Sequence, residues 1–197
     1  NLKMLGIATL NFHETYKRFP VGEFPGDDGL IKYKEGKPLL SWRVYLLPFI
    51  EEGPLYDQFK LDEPWDSPHN LALLDEMPHV YRSPSSSPGS INKTRYLAPV
   101  DPFSILGQSK KVGFRDITDG TSQTILVLSV GAEKATPWTK PGGVEVNFDN
   151  MAESLGGRCS LFPPIDGEPN ASKSEQCHHF VRHRQRIIMF TKNIRNC

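Results

Sequence analysis

Apolar residues recur at three- and four-residue steps over the start of the chain: Leu2, Leu5, Ala8 or Thr9, Phe12 and Tyr16. Lys3, Asn11, Glu14 and Lys17 fall mainly between them. This spacing predicts an amphipathic helix over residues 1–18. Phe19-Pro20 stops it, because proline disfavours the helical conformation of the residue before it. Asn1 is a candidate N-cap. Equally, the periodicity is in full swing from the first residue, as expected of a longer helix that began upstream, and that second reading is preferred.

Residues 20–40 carry Pro20, Gly22, Pro25-Gly26, Asp28-Gly29, Gly36 and Pro38, and read as loop with a short hairpin around Leu30 to Tyr33. Ser41 then opens an apolar stretch, Trp42 to Ile50. It reads as a short helix continuing irregularly through Leu55, Tyr56 and Phe59. Asp66-Ser67-Pro68 predicts a helix start with Ser67 as N-cap and Pro68 at the first helical position. That helix runs through Leu71, Leu74 and Met77 to Pro78. Residues 83–90 are a serine- and proline-rich surface loop. Strands are expected at Thr94–Ala98, Thr124–Val130 and Val144–Phe148. The second is nearly all apolar, which predicts a central strand covered on both faces.

Composition narrows the function classes. Over 197 residues, 23 basic side chains balance 23 acidic ones, and the isoelectric point is about 7.2. That balance argues against a whole-domain electrostatic footprint for nucleic acid or an anionic membrane. Eleven Phe, six Tyr and three Trp are ample core material, while 16 Gly and 17 Pro predict many loops. The longest apolar runs, Ile125–Leu128 and Ile187–Phe190, fall far short of the ~20 residues a spanning helix needs. Charge is not spread evenly: from Arg158 onward, seven basic residues stand against three acidic ones. Cys159, Cys177 and Cys197 also lie there, at spacings of 18 and 20 that match no zinc ribbon.

Several strings together resemble a known family. Asn1-Leu-Lys-Met-Leu-Gly, Asn11-Phe-His13-Glu-Thr-Tyr16 and Arg18-Phe-Pro20 are similar to its stretch just after a prepilin-type helix. Ser41-Trp-Arg-Val-Tyr-Leu-Leu-Pro48 with Leu55-Tyr56 resembles its second signature. Glu63-Pro-Trp-Asp-Ser-Pro-His-Asn70, Asp116-Ile-Thr-Asp-Gly-Thr-Ser122 with Thr124-Ile-Leu126, and Pro137-Trp-Thr-Lys-Pro141 are similar to three more. On these motifs residues 1–157 resemble the planctomycete-type family of prepilin-like proteins that carry a domain of unknown function.

The resemblance implies an α+β, pilin-like head: an N-terminal amphipathic helix packed on a mainly antiparallel sheet, loop-rich, with short inserted helices. Leu5, Phe12 and Tyr16 are then expected to face a sheet containing residues 124–130. It also implies a prepilin-type cleavage and methylation signal and a hydrophobic helix upstream of Asn1, with display on the extracytoplasmic face of a membrane or at the cell surface. The expected role is a non-enzymatic structural or assembly subunit whose partners are other pilin-like subunits or a secretion machinery. No cofactor and no nucleic acid is expected, and membrane contact only through the upstream helix. A carbohydrate- or peptide-binding module and a hydrolase are the alternatives.

At the C-terminus the family ends in a His, nine further residues, Asp-Gly and a Ser-Val strand, whereas Asp166-Gly167 has Gly156 in the place of the His. Residues 158–197 therefore read as a separate basic tail, divergent or translated out of frame. Residues 158–186 are expected to pack poorly, with Ile187–Phe190 able to add one strand.

Candidate chemistry is sparse. Asp119, Thr121 and Ser122 offer oxygen ligands to a cation, but Asp119-Gly120 before a strand is also an ordinary tight turn. Cys177, His179 and His183 offer zinc ligands, against the reading of a basic tail with incidental histidines. Arg182, Arg184 and Arg186 read as a solvated face. No Gly-x-Ser-x-Gly elbow exists, although His13, His69 and His79 remain available to a triad assembled from distant positions. Asp57, Asp62, Glu63, Asp66, Asp75 and Glu76 supply carboxylates for a glycosidase pair, or simply solubility. Trp42, Trp65 and Trp138 read as packing residues, with Trp138, between Pro137 and Pro141, the candidate to stack on a sugar or peptide. Asn92-Lys-Thr94 and Asn170-Ala-Ser172 match the N-glycosylation pattern, which the bacterial origin implied by the resemblance would leave without meaning.

Overall fold

The computed structural model describes residues 1–21, 31–34, 37–84, 91–100, 104–106, 113–117 and 125–146. Helix α1 spans Leu2–Tyr16 and buries Leu5, Ala8, Thr9, Phe12 and His13 along one face. It ends before Pro20 has a say. Lys17 turns into the left-handed region (φ 52°) and its N–H donates to the His13 carbonyl at 2.7 Å. Asn1 sits at the N-cap position without capping. Its amide instead donates to the carbonyls of His79 (3.2 Å) and Arg82 (2.7 Å).

The next block is a string of short helices: α2 (Trp42–Tyr45), a 3-10 turn Leu47–Ile50, α3 (Gly53–Tyr56), α4 (Pro68–Ala72), and 3-10 turns Leu73–Glu76 and His79–Tyr81. Ser41 and Ser67 cap α2 and α4, their hydroxyls accepting from the N–H groups of Arg43 (3.3 Å) and Asn70 (3.2 Å). The helix expected to run to Pro78 tightens to 3-10 after Leu73 and stops at Met77, which leaves the helical region (ψ 120°) because a proline follows it. The chief neighbours of α1 are the turns Leu47–Ile50 and His79–Tyr81, so it rests on short helices rather than on one broad sheet.

Among the described residues, eight strands of two residues pair two by two: β1 (Tyr33–Lys34) with β2 (Lys37–Pro38), β3 (Lys93–Thr94) with β7 (Thr136–Pro137), β4 (Tyr96–Leu97) with β6 (Leu128–Ser129), and β5 (Pro99–Val100) with β8 (Val144–Glu145). The first three pairs are antiparallel and the last is parallel. The mix is α+β. The expected strand Thr94–Ala98 is one run, 93–100, that meets three different partners in turn. The expected central strand 124–130 is strand only at β6 and has one partner, β4; around this pair Tyr96, Ala98, Leu126 and Val127 join the main core with Leu5, Phe12, Tyr45 and Trp138, while Leu97, Leu128, Val130 and Val144 form a smaller second cluster. Gly143 lets β5 and β8 meet, since a Cβ there would overlap the Ala98 carbonyl oxygen.

Leu5 and Phe12 are wholly buried as expected, but Tyr16 is 37% exposed, leaning on the Phe12 and Phe49 rings from the rim. The hairpin lies a few residues beyond its expected place. Residue 124 and residues 147–148 of the expected strands, and all of the tail, are outside the described residues.

Candidate functional site

The densest polar arrangement lies under α2. Arg43 is fully buried, held on a helix whose four residues are all buried. Its Nε donates to the Tyr96 carbonyl at 3.1 Å, Nη2 donates to the same oxygen, and Nη1 donates to Ser41 Oγ at 2.8 Å. The guanidinium also sits 4.6 Å from the Trp42 ring centroid, a favourable cation–π geometry. Burial lowers its pKa to about 10, so it stays charged at neutral pH. Its hydrogen-bond partners are neutral oxygens. Tyr81 closes the network by donating to the Arg43 carbonyl at 2.7 Å, and Thr94 Oγ1 accepts from Tyr96 N–H (3.1 Å) while donating to the Tyr81 carbonyl (2.8 Å). Burial pushes the Tyr81 phenol well up, so it remains a donor. These bonds lock α2, the His79–Tyr81 turn and β3–β4 together. Their chemistry is that of a strut.

Trp138 belongs to the same core. It is fully buried, stacks on Tyr81 (centroids 5.7 Å apart, 18° between planes), meets Phe59 edge-on, and donates from Nε1 to the Leu74 carbonyl at 2.9 Å. The stacking role on a ligand is thereby corrected: the prolines beside it do not hold Trp138 outward, because its indole N–H finds an internal carbonyl and its faces are used by aromatic neighbours. Trp65, half-buried with Lys140 Nζ 5.6 Å from its centroid, is the tryptophan with a face nearer solvent.

The three early histidines have different partners. His13 lies buried among Phe19 and Phe114, His69 Nε2 shares a hydrogen bond with the Gln58 carbonyl (2.8 Å), and His79 is exposed. Asp57, Asp62, Asp66, Asp75 and Glu76 are exposed. Glu63 is half-buried, and its pKa is lowered chiefly by hydrogen bonding from Lys60 at 3.0 Å. Among the described residues no three His, Cys, Asp or Glu side chains group as a metal site. Asp119, Thr121 and Ser122, and likewise Cys177, His179 and His183, lie outside the described residues.

Sequence reading missed Arg43 and Asn70 as buried groups. Asn70 is fully buried, its Nδ2 donating to the carbonyls of Lys60, Glu63 and Pro64 (3.0–3.1 Å) and its Oδ1 accepting from Lys60 N–H. A signal existed for Arg43 alone: a charge set inside the apolar run Trp42–Ile50 has no solvent face to occupy.

The outer face of α1 is the feature that points outward. Met4 (54% exposed) and Ile7 (46%) lie one turn apart on it beside the exposed Lys3, and further along the helix the exposed positions are Asn11, Glu14, Thr15 and, at the rim, Tyr16. Among the described residues no helix is long and apolar enough to cross a membrane.

No curated relative and no solved structure matches the chain significantly. A family model, described as "Protein of unknown function (DUF1559)", matches residues 1–186, so the likeness to the family continues past Gly157, where it was expected to end. The chain belongs to this DUF1559 family of proteins of unknown function.

Proposed function

We propose that the chain is the displayed head of a prepilin-like protein: a non-enzymatic structural or assembly subunit, held at the outer face of a membrane by a hydrophobic helix that continues α1 upstream. The observation that supports this reading is the pair of exposed apolar side chains, Met4 and Ile7, on the outer face of the first turns of α1. A helix lying wholly on the surface of a free head gains nothing from apolar side chains on its solvent side. A helix whose first turns are covered by lipid or by a neighbouring subunit does.

The test is expression of the gene from its natural start, followed by cell fractionation and mass spectrometry of the mature N-terminus. The expected product is membrane-bound, released only by detergent, cleaved at a prepilin-type junction and open to protease added outside the cell. A soluble cytoplasmic product with an unprocessed N-terminus overturns the proposal. Met4→Glu with Ile7→Glu is expected to change the stability of the isolated head by less than about 1 kcal/mol, as exposed positions allow, while removing its co-purification with other copies. Trp65 beneath Lys140 favours a second reading, a head that binds carbohydrate or peptide; titration of a glycan and peptide panel against the head and Trp65→Ala decides it.

A further inference from the structure

We propose that the C-terminal end of α1 and the 3-10 turn Phe114–Asp116 form a clasp that acid releases, with His13 as its catch. The ring of His13 lies 4.1 Å from that of Phe114 and 5.0 Å from that of Phe19, centroid to centroid. Its Nε2 accepts the backbone N–H of Phe114 at 3.3 Å, across 101 residues of chain. A nitrogen that accepts carries no proton, so the neutral ring here holds its proton on Nδ1, a buried atom with no hydrogen-bond partner among the described residues. The turn is closed by Gly113 N–H donating to Asp116 Oδ2 at 2.7 Å.

Protonation removes the acceptor. Imidazolium has two N–H donors and no lone pair, so the Phe114 N–H faces a donor and the bond is lost. The point where a Cβ on Gly113 would stand is 3.7 Å from His13 Nε2 and 3.7 Å from Asp116 Oδ2, with the Lys17 carbonyl 3.8 Å away. Opening also separates Phe114 from the otherwise buried Phe19, whose rings are 5.3 Å apart, and so uncovers aromatic surface.

The charged groups around the ring are Glu14 and Lys17 on its own helix, paired to each other at 3.1 Å, Arg18 beside Phe19, and Arg115 and Asp116 on the turn. Burial is the largest influence and lowers the affinity of the ring for a proton; Glu14 opposes it and Lys17 adds to it. The folded ring therefore titrates below the unfolded one. The stability of the closed clasp is fully present above the ordinary histidine pKa of about 6.5 and is lost as pH falls through the lower folded value.

The test is made on the full chain by NMR between pH 7.5 and 5. Long-range proton–nitrogen correlations are expected to show the Nδ1–H tautomer of His13, titrating below the ordinary histidine value. Hydrogen-exchange protection of the Phe114 amide, corrected for intrinsic rates, is expected to fall by up to roughly tenfold per unit of that lowering. His13→Gln keeps an acceptor and does not titrate, so its Phe114 protection is expected to stay level over the same range. An Nε2–H tautomer, an ordinary midpoint, or an equal loss of protection in His13→Gln overturns the proposal. If His13→Gln does not fold, the tautomer and midpoint of the wild-type ring decide it alone.

Discussion

The helical block, residues 41–82, and the paired strands of residues 93–146 are held by different means. In the first, elements of four or five residues are too short to be stable as helices. Buried polar side chains reach from them to backbone carbonyls: Arg43 to Tyr96, Asn70 to three carbonyls of the 60–64 loop, Tyr81 to Arg43. In the second, pairs of two residues are stabilised by apolar cover on both faces of β4 and β6 and by close backbone approach at Gly143. Order in the first region thus depends on several buried donors, whereas the second has Arg95, whose Nε donates to the Val130 carbonyl at 2.6 Å, and otherwise rests on packing spread over many residues. Single substitutions should hurt the first region most.

Arg43 carries the largest expected effect. Arg43→Met keeps the apolar stem and the Trp42 contact but leaves the Tyr96 carbonyl and Ser41 Oγ without their charged donor. Unmade buried bonds of this kind cost about 1–3 kcal/mol each, so a loss of roughly 4 kcal/mol is expected. Urea denaturation checks it, as a lower midpoint at unchanged slope. Arg43→Lys should recover only a minor part, because an ammonium cannot bond Tyr96 and Ser41 together as the planar fork does. A loss below about 1 kcal/mol in Arg43→Met would erase the distinction between the two regions.

Asn70→Ala comes next. It removes four hydrogen bonds, but the loop carbonyls it serves are partly open to water, which will satisfy some of them. A loss of about 2–3 kcal/mol is expected. Hydrogen exchange is expected to show the increase concentrated at residues 60–64, with β4 and β6 unaffected.

These two side chains also mark where sequence reading stops. Helix α1, the Ser67-Pro68 start and the stop at Met77 were legible because each rests on signals within a turn or two: apolar spacing, a capping hydroxyl, a proline. Arg43 and Asn70 bond groups that only the finished fold brings near, Tyr96 lying 53 residues beyond Arg43. The run 93–100 was legible as extended chain. Its division among β6, β7 and β8 was not, since those partners come from 28 or more residues further along, and pairing register is set by packing. For the proposed outer face, the apolar character of Met4 and Ile7 is written in the sequence, but their exposure is a property of which face the core takes. Trp138, by contrast, packs in the core as its first reading had it, and only the alternative of ligand stacking falls away.

Within the strand region, Gly143→Ala is the substitution most able to mimic the loss of a helical-block donor. The added methyl meets backbone, the Ala98 carbonyl, and the Val100 side chain at 2.9 Å, so β5 and β8 must part. Overpacking of this size costs typically 1–3 kcal/mol, and about 2 kcal/mol is expected here. Because β5–β8 is the one parallel pair described, its loss should leave the β4–β6 register intact, read as unchanged cross-strand contacts between Leu97 and Leu128 by NMR.

The smallest expected effect probes the same comparison from the helical side. Ser67 is 9% exposed, and its hydroxyl accepts from Asn70 N–H at 3.2 Å while Pro68 occupies the first helical position. Ser67→Ala removes one cap and should cost about 1 kcal/mol, and Ser67→Asp should recover most of it, since a carboxylate at the N-cap also accepts from the first-turn N–H groups. Were α4 an ordinary helix, the effect would end there. Here the capped residue is Asn70 itself, so fraying of α4 would move the amide that holds the Lys60–Pro64 loop. The double substitution Ser67→Ala with Asn70→Ala is therefore expected to lose less than the sum of the single losses, by about 0.5–1 kcal/mol. Full additivity would mean that cap and loop anchor act separately, and that the short helices of this block depend on each other less than their shared hydrogen bonds imply.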